Sequence, residues 1–154
     1  MLDLASSDVR GPVLVTVAYF VMYYAMLFGL QSRTKYRLKA KYKARGEKFD
    51  RYHGRDQEML AADRAVGNTH EQQGPFIAGL WLYAIFVDPR RATTLGTIYV
   101  VFRAAYPFLL RATYPFLQSD GRLSKLNPKL VIVATLPNYL IIFYFLGATA
   151  VEVY

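Results

Sequence analysis

Long apolar runs broken at a few places by charge dominate the chain. Pro12 to Leu30 is apolar apart from Thr16 and the tyrosine hydroxyls. At a helical rise of about 1.5 Å per residue it crosses a hydrocarbon core of about 30 Å, which predicts a span over residues 12–31. Ala92 to Leu110 is interrupted only by Arg103, and Leu130 to Val151 carries no charge, so residues 92–110 and 130–151 read as further spans. Gly74 to Val87 is apolar but too short to cross alone, and Asp88-Pro89-Arg90-Arg91 ends it. Extended back to Arg64 it reaches a suitable length, which predicts a span over 64–87 whose first turns are polar. The expectation is an all-α integral membrane protein, a single four-transmembrane-helix bundle over residues 1–154.

The segment before Pro12 has no cationic stretch, and no small-residue cleavage pattern follows the first apolar run, so that run is expected to stay as an anchor. Residues 32–63 form a basic connection, with Lys35, Arg37, Lys39, Lys41, Lys43, Arg45, Lys48, Arg51 and Arg55 against five carboxylates. The third connection adds Arg111, Arg122, Lys125 and Lys129 against Asp120. The positive-inside rule then places these two connections in the cytosol and both termini on the opposite side. Topology and contact with anionic lipid thus account for the net charge of +8, and nucleic acid is not an expected partner.

Composition narrows the chemistry. The absence of cysteine removes disulfides, thiolate metal sites and a protein thiol nucleophile. With only His53 and His70, a histidine-rich metal site is not expected, and no metal ligands are assigned. A reactive sulfur would have to come from a bound ligand.

The polar entry to the second span carries the most information. On a helix, Arg64, Asn68 and Glu71 fall at i, i+4 and i+7, so a cation, an amide and a carboxylate share one stripe just before Pro75-Phe76. Such groups at membrane depth are costly unless they face a bundle interior or a wet cavity, which marks the stripe as a ligand site. The third span holds a short repeat, Arg103-Ala-Ala-Tyr106-Pro followed by Arg111-Ala-Thr-Tyr114-Pro. Arg103 lies inside the span and needs a partner or an anionic ligand, whereas Arg111 can snorkel to the interface.

Taken together, the four spans, the basic first connection, Arg64-x3-Asn68-x2-Glu71 with Pro75-Phe76, Arg103-x2-Tyr106, and Gln31-Ser32-Arg33 at the end of the first helix resemble the MAPEG superfamily. These are the membrane-associated proteins of eicosanoid and glutathione metabolism, including the microsomal glutathione S-transferases. The resemblance implies a homotrimer that binds glutathione between protomers near the cytosolic face and takes a lipophilic substrate from the bilayer. It implies that Arg33, Arg64, Asn68, Glu71 and Gln72 hold glutathione, and that Arg103, Tyr106 and Arg111 serve catalysis. Glutathione offers two carboxylates, an ammonium group and a thiol. Arginines suit the carboxylates, Glu71 the ammonium and Asn68 the peptide amides. The implied activity is a glutathione-dependent transferase or peroxidase acting on a lipophilic electrophile or lipid hydroperoxide. Endoplasmic reticulum is the default membrane, with mitochondrial, plastid and bacterial inner membranes as alternatives.

The sequence also departs from the leukotriene-synthase type of the superfamily. Leu110 stands where that type has a second tyrosine, and Leu117-Gln118-Ser119 lacks its thiol-activating arginine. The alternative reading is therefore a non-catalytic member that binds lipid, or a structural subunit of a larger membrane complex.

Overall fold

The computed structural model describes residues 8–54, 56–113 and 128–154, and side-chain surroundings for all of these except 109–113, 128–131, 133 and 134. The described residues are helical with short connections. α1 (Arg10–Ala25) runs through a π-helical stretch (Met26–Ser32) into α2 (Arg33–Ala44), followed by α3 (Gln57–Phe86), α4 (Pro89–Thr113) and α5 (Pro128–Val153). α4 packs against α1, α3 and α5, and α3 also packs against α5. Two segments are long and apolar enough to cross a membrane by themselves, the continuous Arg10–Ala44 helix and Thr135–Val153.

The basic connection differs from the expected loop over 32–63. Arg33–Ala44 continues the first helix, and α3 starts as early as Gln57, leaving only 45–56 between them. Cations at alternate positions concealed α2, because its apolar residues are only Leu38 and a few small or aromatic side chains. Its buried stripe is nevertheless regular: Thr34 and Leu38 are buried at i and i+4, and Tyr42 follows at i+8. Leu38 packs with Met59 and Ala62 of α3. Gly46 ends α2 at φ 73°, the left-handed conformation that a C-terminal cap requires. Its N–H donates to Lys43 O and that of Glu47 to Tyr42 O, satisfying two terminal carbonyls. At the other side of the connection Asp56 caps α3 by accepting from Glu58 and Met59 N–H.

The packed centre is aromatic. Phe76 of α3 stacks on Tyr99 of α4 with centroids 3.7 Å apart, and Tyr19 of α1 packs against both rings. Leu80, Tyr83, Ile142 and Phe145 extend this core along α3 and α5. Gly96 allows the close approach: a Cβ there would lie 2.8 Å from atoms of both Leu80 and Val15. Trp81 Nε1 donates to Thr16 Oγ1 at 3.1 Å, joining α3 to α1. Pro75, Pro107 and Pro137 lie inside α3, α4 and α5, each removing one backbone donor from its helix.

Candidate functional site

The two sequence motifs meet in space. Asn68 Nδ2 on α3 donates to Tyr106 Oη on α4 at 2.6 Å. That bond occupies the phenol as acceptor and leaves its O–H free to donate. Tyr99, Arg103 and Tyr106 fall at i, i+4 and i+7 of α4, the same spacing as Arg64, Asn68 and Glu71 on α3. Tyr99 was missed on the sequence alone, although this spacing from Arg103 was the available signal.

Arg103 is 0% exposed, inside the protomer. Its guanidinium carbon lies 5.9 Å from the Tyr99 ring centroid and 5.2 Å from that of Tyr106. Among the described residues no carboxylate pairs with it, and its nitrogens make no hydrogen bond of normal geometry with any of them. The two electron-rich rings supply the attraction that an acid would otherwise provide. The partner sought for Arg103 is thus an aromatic pair, and the guanidinium retains its capacity to bind an anion.

The α3 motif divides between two faces. Arg64 and Glu71 are exposed and Asn68 is half-buried, with Gly67, Gly74, Pro75 and Ala78 on the same outward side. Gln72 points the opposite way: it is buried, and its Oε1 accepts from Tyr99 Oη at 3.1 Å. Its amide is therefore bound within the protomer, away from the side that carries Arg64 and Glu71. His70 is exposed beside Tyr23, whose hydroxyl lies 3.3 Å from its Nδ1.

Arg33 opens α2 and is exposed. Near it is a polar node that sequence reasoning did not find. Asp63, the residue before Arg64, accepts from Gln31 Nε2 at 2.7 Å and from Arg51 Nη2 at 2.8 Å. Arg51 belongs to the connection between α2 and α3, so that segment is tied to the end of the first helix and to the start of the α3 motif. Its hydrogen bond to Asp63 also holds the Arg51 guanidinium above its ordinary pKa. Arg37 pairs with Glu58, and Tyr42 Oη donates to Asp56 Oδ2 at 3.0 Å, which raises the phenol's pKa. No spacing rule links residues 31, 51 and 63, so only the fold could reveal this node.

Arg111 lies on α4, but its side chain and that of Leu110 are outside the described residues, as are Leu117, Gln118, Ser119 and Arg122. The thiol-activating position therefore rests on sequence alone.

With this geometry in place, the comparisons decide the family. The MAPEG family model matches residues 12–124, which takes in all but the first two residues of α1, the whole of α2 to α4 and every candidate residue named above. The chain belongs to the MAPEG family. It is also 29% identical over 104 residues to the uncharacterized protein sll1147 of Synechocystis sp., an alignment covering 67% of this chain and 69% of that protein. No solved structure matches the chain. Membership and the two apolar helices make this a membrane protein, and MAPEG membership supports a glutathione-related function in the broad sense. MAPEG proteins generally use glutathione.

Proposed function

We propose that this MAPEG protein is a glutathione-dependent membrane transferase or peroxidase acting on a lipophilic electrophile or lipid hydroperoxide. The observation that carries the reading is the 2.6 Å hydrogen bond between Asn68 and Tyr106, which joins the α3 motif to the α4 motif directly beside Arg103. In this reading the four long helices each span the bilayer and three copies assemble around α3. Gly67, Gly74 and Ala78 leave the outward side of α3 low enough for another helix to approach closely, and Arg64 and Glu71 would then face the neighbouring protomer.

Glutathione would lie along that face, with a carboxylate on Arg64 or Arg33, its ammonium on Glu71 and a peptide amide on Asn68. Gln72 would contribute indirectly, by fixing Tyr99 beneath Arg103. A thiol is a poor nucleophile when protonated, with a free pKa near about 8.5. The cationic field of Arg103, and of Arg111 from the following turns, would favour the thiolate. Tyr106 is buried in the protomer, so its first role is to hold the Asn68 amide. Its phenolic O–H, which that bond leaves free, would donate to the sulfur or to an oxyanion.

In conjugation, the thiolate sulfur forms a bond to an electrophilic carbon, and the displaced electron pair leaves as an oxyanion that takes a proton. In peroxide reduction, the thiolate sulfur attacks the terminal peroxide oxygen and the O–O bond breaks, giving glutathione sulfenic acid and an alkoxide that takes a proton. The thiol of a second glutathione then attacks that sulfur, and the disulfide forms with loss of water.

Calorimetry on the purified protein with glutathione, followed by thiolate absorbance, tests the reading. Saturable binding that Arg64→Ala/Glu71→Ala abolishes, with thiolate near neutral pH, is the expected result. A second reading has its own support: with Leu110 in place of a second tyrosine and Tyr106 already bonded to Asn68, the network can serve a non-catalytic lipid-binding member or a subunit of a larger complex. Absence of binding at millimolar glutathione would select that reading.

A further inference from the structure

α2 carries six cations in twelve residues, and the helix sorts them into two rows. Arg33, Arg37 and Lys41 lie at i, i+4 and i+8 on one side of the stripe of buried Thr34 and Leu38 and half-buried Tyr42, and Lys35, Lys39 and Lys43 lie at the same spacing on the other. The first row has an acidic partner, since Arg37 pairs with Glu58. The second has none among the described residues. Lys35 has only the Tyr36 ring at 5.4 Å, while Lys39 and Lys43 are exposed.

Of the nearby carboxylates, all but Glu47, which lies past the end of α2, are engaged elsewhere. Asp63 holds Gln31 and Arg51. Asp56 caps α3 and accepts from Tyr42. Asp50 accepts from the Tyr52 and His53 amides of its own turn. Glu47 forms no ion pair among the described residues. Lysines one turn apart repel one another, so this row weakens α2 as a free helix unless negative charge comes from outside the protomer.

The position of the row identifies the source. The apolar run ends at Leu30, which puts Arg33 at the edge of the hydrocarbon. A headgroup layer adds about 5–8 Å per leaflet. With a rise of about 1.5 Å per residue, Lys35 sits about 3 Å, Lys39 about 9 Å and Lys43 about 15 Å beyond Arg33. Lys35 is thus within the headgroups, Lys39 stands about 1–4 Å beyond their outer surface, and Lys43 about 7–10 Å beyond it, on the order of one Debye length at physiological salt. We propose that the Lys35, Lys39 and Lys43 row is a binding site for anionic phospholipid headgroups, which recruits such lipids to the side of α2 and holds it upright at the interface.

The test uses the full chain in phosphatidylcholine bilayers containing spin-labelled phosphatidylglycerol or spin-labelled phosphatidylcholine. The immobilised component of the spectrum is expected to favour phosphatidylglycerol several-fold, and this preference should fall as salt rises. Lys35→Gln/Lys39→Gln/Lys43→Gln should remove most of it, and the corresponding triple arginine variant should keep it, with helical circular dichroism unchanged in both. Equal immobilisation of the two lipids, or a preference that survives the triple glutamine change, would overturn the proposal. So would lysine-dependent capture of soluble polyglutamate that exceeds the lipid preference, since the row would then serve an acidic protein. None of these readouts depends on glutathione chemistry.

Discussion

The two ends of the helix bundle are held by different physics. In the half around Phe76, Tyr99, Tyr19 and Phe145, rings fill the space between helices and the fit depends on volume. In the half around Asn68, Tyr106, Arg103 and Asp63, hydrogen bonds and a buried cation set the geometry. The aromatic half tolerates loss of atoms poorly and has little chemistry to lose. The polar half carries a buried cation with no acidic partner among the described residues, which leaves it able to bind an anionic ligand.

Substitutions should separate the two halves. The largest stability effect is expected from Phe76→Ala, which removes a fully buried ring stacked on Tyr99 and should cost about 3 kcal/mol or more. Thermal unfolding in detergent measures it, and glutathione affinity below the new melting temperature should change less than stability does. Gly96→Val should follow, at about 1–3 kcal/mol by overpacking against Leu80 and Val15. A melting temperature equal to that of the parent would show the helices there to be less tightly packed than described.

Arg103→Met should behave in the opposite manner. Removing a buried cation without an acidic partner is expected to leave stability unchanged or raise it by about 1 kcal/mol, while thiolate formation and turnover fall on the order of 100-fold. Parallel losses of stability and turnover would mean that Arg103 is structural, and the contrast between the halves would fail.

Arg51→Met removes one of the two donors to Asp63. It should cost about 1 kcal/mol, since both side chains are partly exposed, and should raise KM for glutathione more than it lowers kcat. Arg51→Lys should restore part of the loss. The smallest effect concerns Asp50, whose carboxyl is held below its ordinary pKa by the His53 and Tyr52 amides. A carboxyl depressed in the folded state stabilises above its unfolded value of about 4 and loses that contribution as pH falls through the lower folded value. The protection of the Tyr52 and His53 amides, relative to free-peptide exchange at the same pH, should therefore hold at neutral pH and fall only on acidification below about pH 4.

The sequence made some elements more legible than others. The apolar runs ending at Leu30, Leu110 and Val151 each lie within an observed helix, because hydrocarbon length and apolarity are directly readable. α3 required an argument from insufficiency, and the helix extends further back than that argument, to a cap at Asp56. α2 was hidden because cations at every second residue mask a buried stripe that recurs every fourth. Among the candidate residues, Asn68 meets Tyr106 beside Arg103, while Arg64 shares only the outward side of α3 with Asn68, as spacing along a helix predicts. The opposite turn of Gln72 and the joining of residues 31, 51 and 63 through Asp63 depend on tertiary packing that no local pattern encodes.

The π-helical stretch between α1 and α2 sets the phase of everything beyond it. There Arg33 N–H reaches back five residues to Phe28 O, so the chain advances with one residue more than an α-helical turn would hold. Winding the same seven residues as an α-helix, without the wider turn, would therefore rotate α2 by about 100° about its axis. A row of cations would be rotated toward α3, and Leu38 would be rotated away from Met59 and Ala62. The stretch acts as a rotary index, through which one residue's turn decides which side of α2 meets its own protein and which is left facing outward.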